Sequence, residues 1–302
     1  MMTLPLKGTI TALVTPMHKD GSIDFASLKK LIDFQIAGNI SAIVPCGSTG
    51  ESATMTFAEK CEVIRATVEH AAGRVPVIAG TGSNDTAAAI ALTKEAKVIG
   101  ADAVLLVSPF YNKPTQRGLI AHFSAIAESC DIPQILYNVP GRTASNVTAE
   151  TQLQLAETYT HIIATKEASA DLEQMMEIIR NRPAHFTLLA GDDSLALPII
   201  ASGGHGVISV LSNYAPAQFG VCINAALSGD FEIARALHYP LFDLMRLNFI
   251  ETNPIPVKGI LSMMGICEEN YRLPMQPLLK ENKEKLREAL INAGILKKNG
   301  SQ

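Results

Sequence analysis

Lys166 lies in His161-Ile162-Ile163-Ala164-Thr165-Lys166-Glu167-Ala168-Ser169, where an apolar run with strand character ends on a single amine. At the mouth of an apolar cavity an ammonium is poorly solvated, so a useful fraction of such amines stands free to attack a ketone and form an imine. A solvated lysine at a strand end would look the same from this segment alone. The polar residues elsewhere in the chain have to decide between the two.

Gly47-Ser48-Thr49-Gly50-Glu51-Ser52 follows an apolar run, and its glycines let backbone N–H groups approach an anion while its hydroxyls can bind a carboxylate. It lacks the Gly-Lys-Ser/Thr ending of a P-loop, and it reads equally as a tight turn into the helix start at Thr56. Tyr111, in Ser108-Pro109-Phe110-Tyr111-Asn112-Lys113-Pro114, and Tyr137, in Tyr137-Asn138-Val139-Pro140-Gly141-Arg142-Thr143, each follow a strand pattern. Either ring is a proton-transferring hydroxyl or a packed aromatic. Arg142 is a surface charge or, at a binding mouth, a planar fork for a carboxylate. Gly191-Asp192-Asp193 and Gly203-Gly204-His205-Gly206 complete the set; the second cluster gives room to a small ligand or to close packing, and His205 reads as structural.

Eight short apolar and β-branched runs, at 9–14, 42–45, 75–79, 103–107, 134–137, 162–165, 187–190 and 206–210, alternate with amphipathic stretches. That rhythm predicts parallel strands joined by helices. Thr56-Phe57-Ala58-Glu59 has capping-box spacing at one helix start. Eight such units predict an α/β fold, a (β/α)8 TIM barrel with a C-terminal helical extension; a doubly wound sheet is disfavoured because no G-x-G-x-x-G follows the first strand. Residues 1–230 are assigned to the barrel. Residues 231–302 form a C-terminal helical region, with helical patterns at 231–249, 255–264 and 280–293, packed on the barrel or on another subunit. Chemistry in such barrels gathers at the carboxyl ends of the strands, where Lys166, Tyr111, Tyr137 and the Gly47 loop all fall.

The chain has 302 residues, 47% of them hydrophobic, enough for one large core. A net charge of -4 with no basic stripe argues against nucleic acid. No apolar run approaches the ~20 residues that span a bilayer. The first residues have no signal-peptide layout, so a cytoplasmic protein is expected. Cys46, Cys61, Cys130, Cys222 and Cys267 are scattered, without a C-x-x-C pair or a nearby His at ligand spacing, which predicts neither disulfides nor a metal site.

Taken in order, Gly47-Ser48-Thr49-Gly50-Glu51, Tyr137 to Thr143, Lys166-Glu167-Ala168 and Gly203 to Ser209 resemble the dihydrodipicolinate synthase family of pyruvate-dependent class I aldolases, which also includes N-acetylneuraminate lyase. The likeness continues through Asn253-Pro254-Ile255-Pro256-Val257-Lys258 into the tail. It implies condensation of pyruvate with L-aspartate-4-semialdehyde on the way to diaminopimelate and lysine. Lys166 would form the imine and Tyr137 would shuttle protons, with Ser48 and Tyr111 completing the relay and Tyr111 reaching into a neighbouring subunit. Thr49 and the backbone at Gly191 and Ile208 would hold pyruvate, and Arg142 the semialdehyde carboxylate. The resemblance implies no metal or organic cofactor, because the imine is itself the electron sink, and it implies a homotetramer built as a dimer of dimers.

Two departures stand out. Ser48 replaces the family's usual threonine, keeping the hydroxyl and losing a methyl that restricts its rotamer. In the cleft where inhibited relatives bind lysine, Ser52, Ala53 and Asn84 match. Phe57, Lys60, Ala88 and Phe110 stand where those relatives have His, His, Glu and Tyr, so weak or absent feedback by lysine is expected. A sugar-acid aldolase would share Lys166, Tyr137 and the Gly47 loop and differ at Arg142. A non-catalytic barrel binding a 2-keto acid would have no need of the proton relay.

Overall fold

The computed structural model describes residues 6–297. Eight parallel strands, β1 (Gly8–Ala12), β2 (Ala42–Val44), β3 (Ile78–Gly80), β4 (Ala103–Val107), β5 (Gln134–Asn138), β6 (Ile162–Glu167), β7 (Thr187–Ala190) and β8 (Gly206–Ser209), pair in the order β2-β1-β8-β7-β6-β5-β4-β3. A parallel bridge from Ile43 to Val77 joins the two ends, with Ile43 N donating to Pro76 O at 3.0 Å and Gly80 N to Pro45 O at 2.9 Å. The sheet therefore closes into the expected (β/α)8 barrel, and closure removes its edges.

Around it run α1 (Phe25–Ala37), α2 (Phe57–Ala71), α3 (Thr86–Ile99), α4 (Gln116–Ser129), α5 (Pro140–Thr143), α6 (Ala149–Thr158), α7 (Leu172–Asn181), α8 (Ala196–Ala201) and α9 (Pro216–Leu227). The capping box forms as its spacing predicts: Thr56 N donates to Glu59 Oε2 at 2.8 Å and Glu59 N to Thr56 Oγ1 at 3.2 Å. Among the described residues three helices follow the barrel, α10 (Phe231–Leu247), α11 (Ile255–Met263) and α12 (Lys280–Asn292).

Strand alternation divides the core in two. Ile135 and Tyr137 of β5 face the barrel interior with Ile10, Ala164, Leu189 and Ile208, while Leu136 faces the helices and joins the layer containing Phe123 and Ile126. That outer layer continues beneath the last three helices through Leu244, Val257, Ile260 and Leu286. Each such side chain, fully removed from water, contributes about 1.5–3 kcal/mol.

The boundaries differ from expectation where side chains intervene. β1 stops at Ala12, because the N–H of Val14 donates to Asn213 Oδ1 at 3.1 Å and is lost to the ladder. β5 and β6 each run past their apolar segments, so Tyr137 and Lys166 sit inside paired strand. Of the two readings of the second glycine cluster, close packing is the one the fold bears out. Gly206 has φ 144°, and a Cβ there would come within 2.1 Å of Gly8 O, so its bare backbone lets β8 approach β1. This lies at the amino end of β8, away from the candidate site. His205 packs there, with its Nε2 3.3 Å from an Arg182 nitrogen.

Among the described residues, no helix is long and apolar enough to cross a membrane. All five cysteines are free and buried, and among the described residues no group of three or more His, Cys, Asp or Glu is placed to hold a metal.

Candidate active site

At the carboxyl end of the strands lies a narrow cavity of about 50 Å³, several times what a single water requires. Lys166 and Tyr137 form its floor. They are register partners across β5 and β6, and alternation turns both side chains inward. The Lys166 ammonium stands 4.3 Å from the centroid of the Tyr137 ring. Both are buried, at 5% and 7% exposure, so the amine rests against the face of the tyrosine ring largely out of contact with solvent.

The opposite wall is the loop after β2. Gly50 N donates to Gly47 O at 3.0 Å and Glu51 N to Ser48 O at 3.2 Å, which folds the chain tightly and brings Ser48 and Thr49 to the cavity. Cys46 (φ 57°) and Glu51 (φ 56°) flank this turn in the left-handed region, which costs non-glycine residues roughly 1–3 kcal/mol each. A buried ion pair holds it: Lys258 Nζ of α11 donates to Glu51 Oε1 at 2.5 Å and to Asn270 O at 2.7 Å, and both members of the pair are almost inaccessible to solvent. Burial pulls the Lys258 amine below the ordinary lysine value, and the Glu51 carboxylate pulls it back. Five residues before Lys258, Asn253 Nδ2 donates to Thr49 Oγ1 at 3.0 Å. The C-terminal helical region thus grips the binding loop at two points.

Arg142, on the single-turn α5, reaches the mouth and approaches Asn253 O at 3.5 Å. Facing it is Asp192, whose pKa is raised by burial against the opposing pull of Lys166 and Arg142. Gly191 is glycine because a Cβ there would lie 2.5 Å from Ala168 Cβ; the bare backbone lets β7 close up beside the residue that follows Lys166 and Glu167. The remaining walls are apolar, from Ala12, Val44, Leu105 and Val139.

Six residues singled out from sequence, Lys166, Tyr137, Ser48, Thr49, Arg142 and Gly191, meet around one cavity. Two do not. Ile208 packs inside the barrel, and the wall on that side comes from Val210, two residues further on. Tyr111 stands away from the cavity with 89% of its surface exposed and φ 70°. Sequence reasoning gave no role to Asp192, Phe249 or Asn253, which line the cavity as well. The Asn253 to Lys258 segment was visible only as part of the resemblance, with nothing local to say that it returns to the loop after β2.

A model of the dihydrodipicolinate synthetase family matches residues 5–293. The chain belongs to this family. A 4-hydroxy-tetrahydrodipicolinate synthase from Koribacter versatilis is 51% identical over 97% of this chain and 98% of its own length. The crystal structure of dihydrodipicolinate synthase from Aquifex aeolicus is 47% identical with a TM-score of 0.95, covering 97% of this chain and 100% of that one. A chloride-inhibited dihydrodipicolinate synthase from Acinetobacter baumannii, solved in complex with pyruvate, is 43% identical with a TM-score of 0.94, covering 96% of this chain and 100% of that one.

Of the residues expected to stand in a lysine cleft, Asn84 and Phe110 are joined by a hydrogen bond. Asn84 Nδ2 donates to Phe110 O at 3.2 Å, and Asn112 Nδ2 returns a bond to Asn84 O at 2.9 Å. Phe57, Phe110, Ala53 and Ala88 are exposed, and Ser52 and Lys60 are half-buried.

Proposed function

We propose that this cavity carries out the 4-hydroxy-tetrahydrodipicolinate synthase reaction, a lyase-class condensation of pyruvate with L-aspartate-4-semialdehyde in diaminopimelate and lysine biosynthesis, acting in the cytoplasm. The observation that carries the reading is the Lys166–Tyr137 pair, partners on adjacent strands at a buried barrel mouth, with the amine nitrogen 4.3 Å from the centre of the tyrosine ring.

Lys166 Nζ adds to the pyruvate C2 carbonyl, and water leaves as the protonated imine forms. Tyr137 carries protons in this step and takes one from the pyruvate methyl, so the electron pair moves toward the imine and an enamine results. The enamine carbon attacks the aldehyde, whose oxygen is protonated. The substrate amine then adds to the imine carbon, which closes the ring and frees Lys166. Thr49 already accepts from Asn253, so its own proton is directed to the pyruvate carboxylate, alongside the loop amides. Arg142 supplies a two-pronged grip for the semialdehyde carboxylate. The chemistry asks for no metal or organic cofactor.

Ser48 extends the relay from Tyr137 toward solvent, and Tyr111 completes it from a second subunit. The exposed Tyr111 and Phe110 support such a contact, in a homotetramer of paired dimers. Ala88 and Lys60 offer an incoming lysine ammonium no carboxylate and a like charge, which supports weak or absent feedback; half-maximal inhibition by submillimolar lysine would overturn that point.

The test is condensation by the purified protein, coupled to a dihydrodipicolinate reductase and followed by loss of NADPH. A rate that disappears in Lys166→Ala bears out the proposal. No rate from protein that still forms the pyruvate imine refutes it and turns the search to sugar-acid aldehydes.

A further inference from the structure

Back to back with Lys166, on the helix side of β6, is a buried carboxylate that the mechanism leaves unused. Glu167 is wholly inaccessible to solvent. Its Oε1 accepts from Asn138 Nδ2 at 3.0 Å and from Ser169 N at 3.0 Å; its Oε2 accepts from Asn138 Nδ2 at 3.1 Å, Gln152 Nε2 at 2.9 Å and Gln174 Nε2 at 3.1 Å. Every one of these donors is neutral. Asn138 is held in turn, its Oδ1 accepting from Val147 N at 2.9 Å and its Nδ2 donating to Asn146 Oδ1 at 2.7 Å. Groups from α6, α7 and the segment between α5 and α6 thus converge on a single pair.

Its position in the ladder gives that pair a meaning. Gln134 of β5 pairs with Ile162, but the next residue, Ile135, pairs with Ala164, so the register shifts at the start. Beyond the shift come the Ile135–Ala164, Leu136–Thr165, Tyr137–Lys166 and Asn138–Glu167 rungs. A ladder that has already slipped once has little length left with which to enforce its register. Another one-residue slip would turn Lys166 out toward the helices or set Tyr137 opposite the wrong partner. A buried carboxylate with no cation is costly, and an apolar pair would fill the same space without that cost. What the polar pair adds is direction, since its hydrogen bonds are made in one register only.

We infer that Asn138 and Glu167 are positioning residues, locking the rung next to Tyr137 and Lys166 from outside the barrel and thereby fixing the amine against the phenol. The inference rests on the imine reading of that pair. It assigns a role in rate to two side chains that touch neither substrate nor cavity.

The experiment measures the rate at which pyruvate becomes trapped on the full-length protein by borohydride, in a double-substitution cycle between Glu167→Gln and Tyr137→Phe. Glu167→Gln keeps the volume and turns one acceptor into a donor that faces other donors. Trapping should slow about tenfold or more in the Tyr137 background, since small misplacements of reacting groups are expensive, while half-saturation by pyruvate changes little. In the Tyr137→Phe background the same substitution should change the residual rate less than about threefold, because the alignment it disturbs no longer matters there. Gln174→Met removes one donor from half-buried α7 and should show the same pattern more weakly, which keeps the test open if Glu167→Gln does not fold. Equal losses in both backgrounds would mean a merely structural carboxylate and would overturn the inference alone. A parent protein that traps no pyruvate would overturn the imine reading and the inference with it.

Discussion

The two sides of the cavity are held by different physics. Lys166 and Tyr137 form one rung of a parallel ladder, so backbone hydrogen bonds between β5 and β6 place both groups at once. Ser48 and Thr49 stand on a turn flanked by two left-handed residues, which backbone pairing alone does not stabilise. Their position depends on Lys258 and Asn253, which arrive from the far end of the chain. A ladder needs only its register to be right. A strained turn needs an anchor, and here the anchor is a buried charge whose loss exposes the strain.

The sharpest way to break this contrast is Lys258→Met. Removing one partner of a buried ion pair leaves Glu51 uncompensated, and stability to urea should fall by about 3–5 kcal/mol. Lys258→Met combined with Glu51→Leu should recover most of that loss, because an apolar pair of similar volume replaces both charges. Failure of the double variant to recover would show that the anchor works through something other than the pair.

A second anchored turn extends the contrast and depends on pH. Asp193 Oδ2 accepts from Val210 N at 3.1 Å and Leu211 N at 2.8 Å, fixing the chain after β8, and burial pushes its carboxyl up to about 6. A carboxyl whose pKa is higher folded than unfolded binds its proton more tightly in the native state. Its contribution is therefore full below about pH 4 and is lost as the pH rises through about 6. Asp193→Asn cannot ionise, so its stability relative to the parent should rise by up to about 3 kcal/mol across that window, read from urea midpoints at several pH values. A flat difference would mean that Asp193 does not titrate there.

The smallest structural effect is expected at Arg142, which belongs to neither device. Arg142→Ala should leave the melting temperature nearly unchanged, yet lose about 1.5–3 kcal/mol of charged hydrogen bonding to the second substrate. Steady-state kinetics should show the semialdehyde KM rising far more than the pyruvate KM. The opposite ranking would assign Arg142 to pyruvate.

The same division explains what the sequence made legible. Apolar periodicity exposed all eight strands, and with them the strand ends where Lys166 and Tyr137 lie, because burial dictates that pattern residue by residue. It missed Asn138 and Glu167 as strand, since polar residues that bond to one another on the helix side break the apolar run. It also missed that Asn253 and Lys258 complete the site, because contacts between residues 204 and 207 positions apart leave no local periodicity. The side chain of Ile208 packs inside the barrel, and Val210, two residues on, lines the cavity. Tyr111, exposed on this chain, was set in the relay by resemblance alone, and no spacing within the sequence could have done so.

The most direct test of the account is to incubate the protein with pyruvate, reduce with borohydride and map the modified peptide by mass. The account predicts one stable pyruvate-derived adduct, on Lys166, and none in Lys166→Ala. An adduct on another lysine, or none on a protein that binds pyruvate, would contradict it.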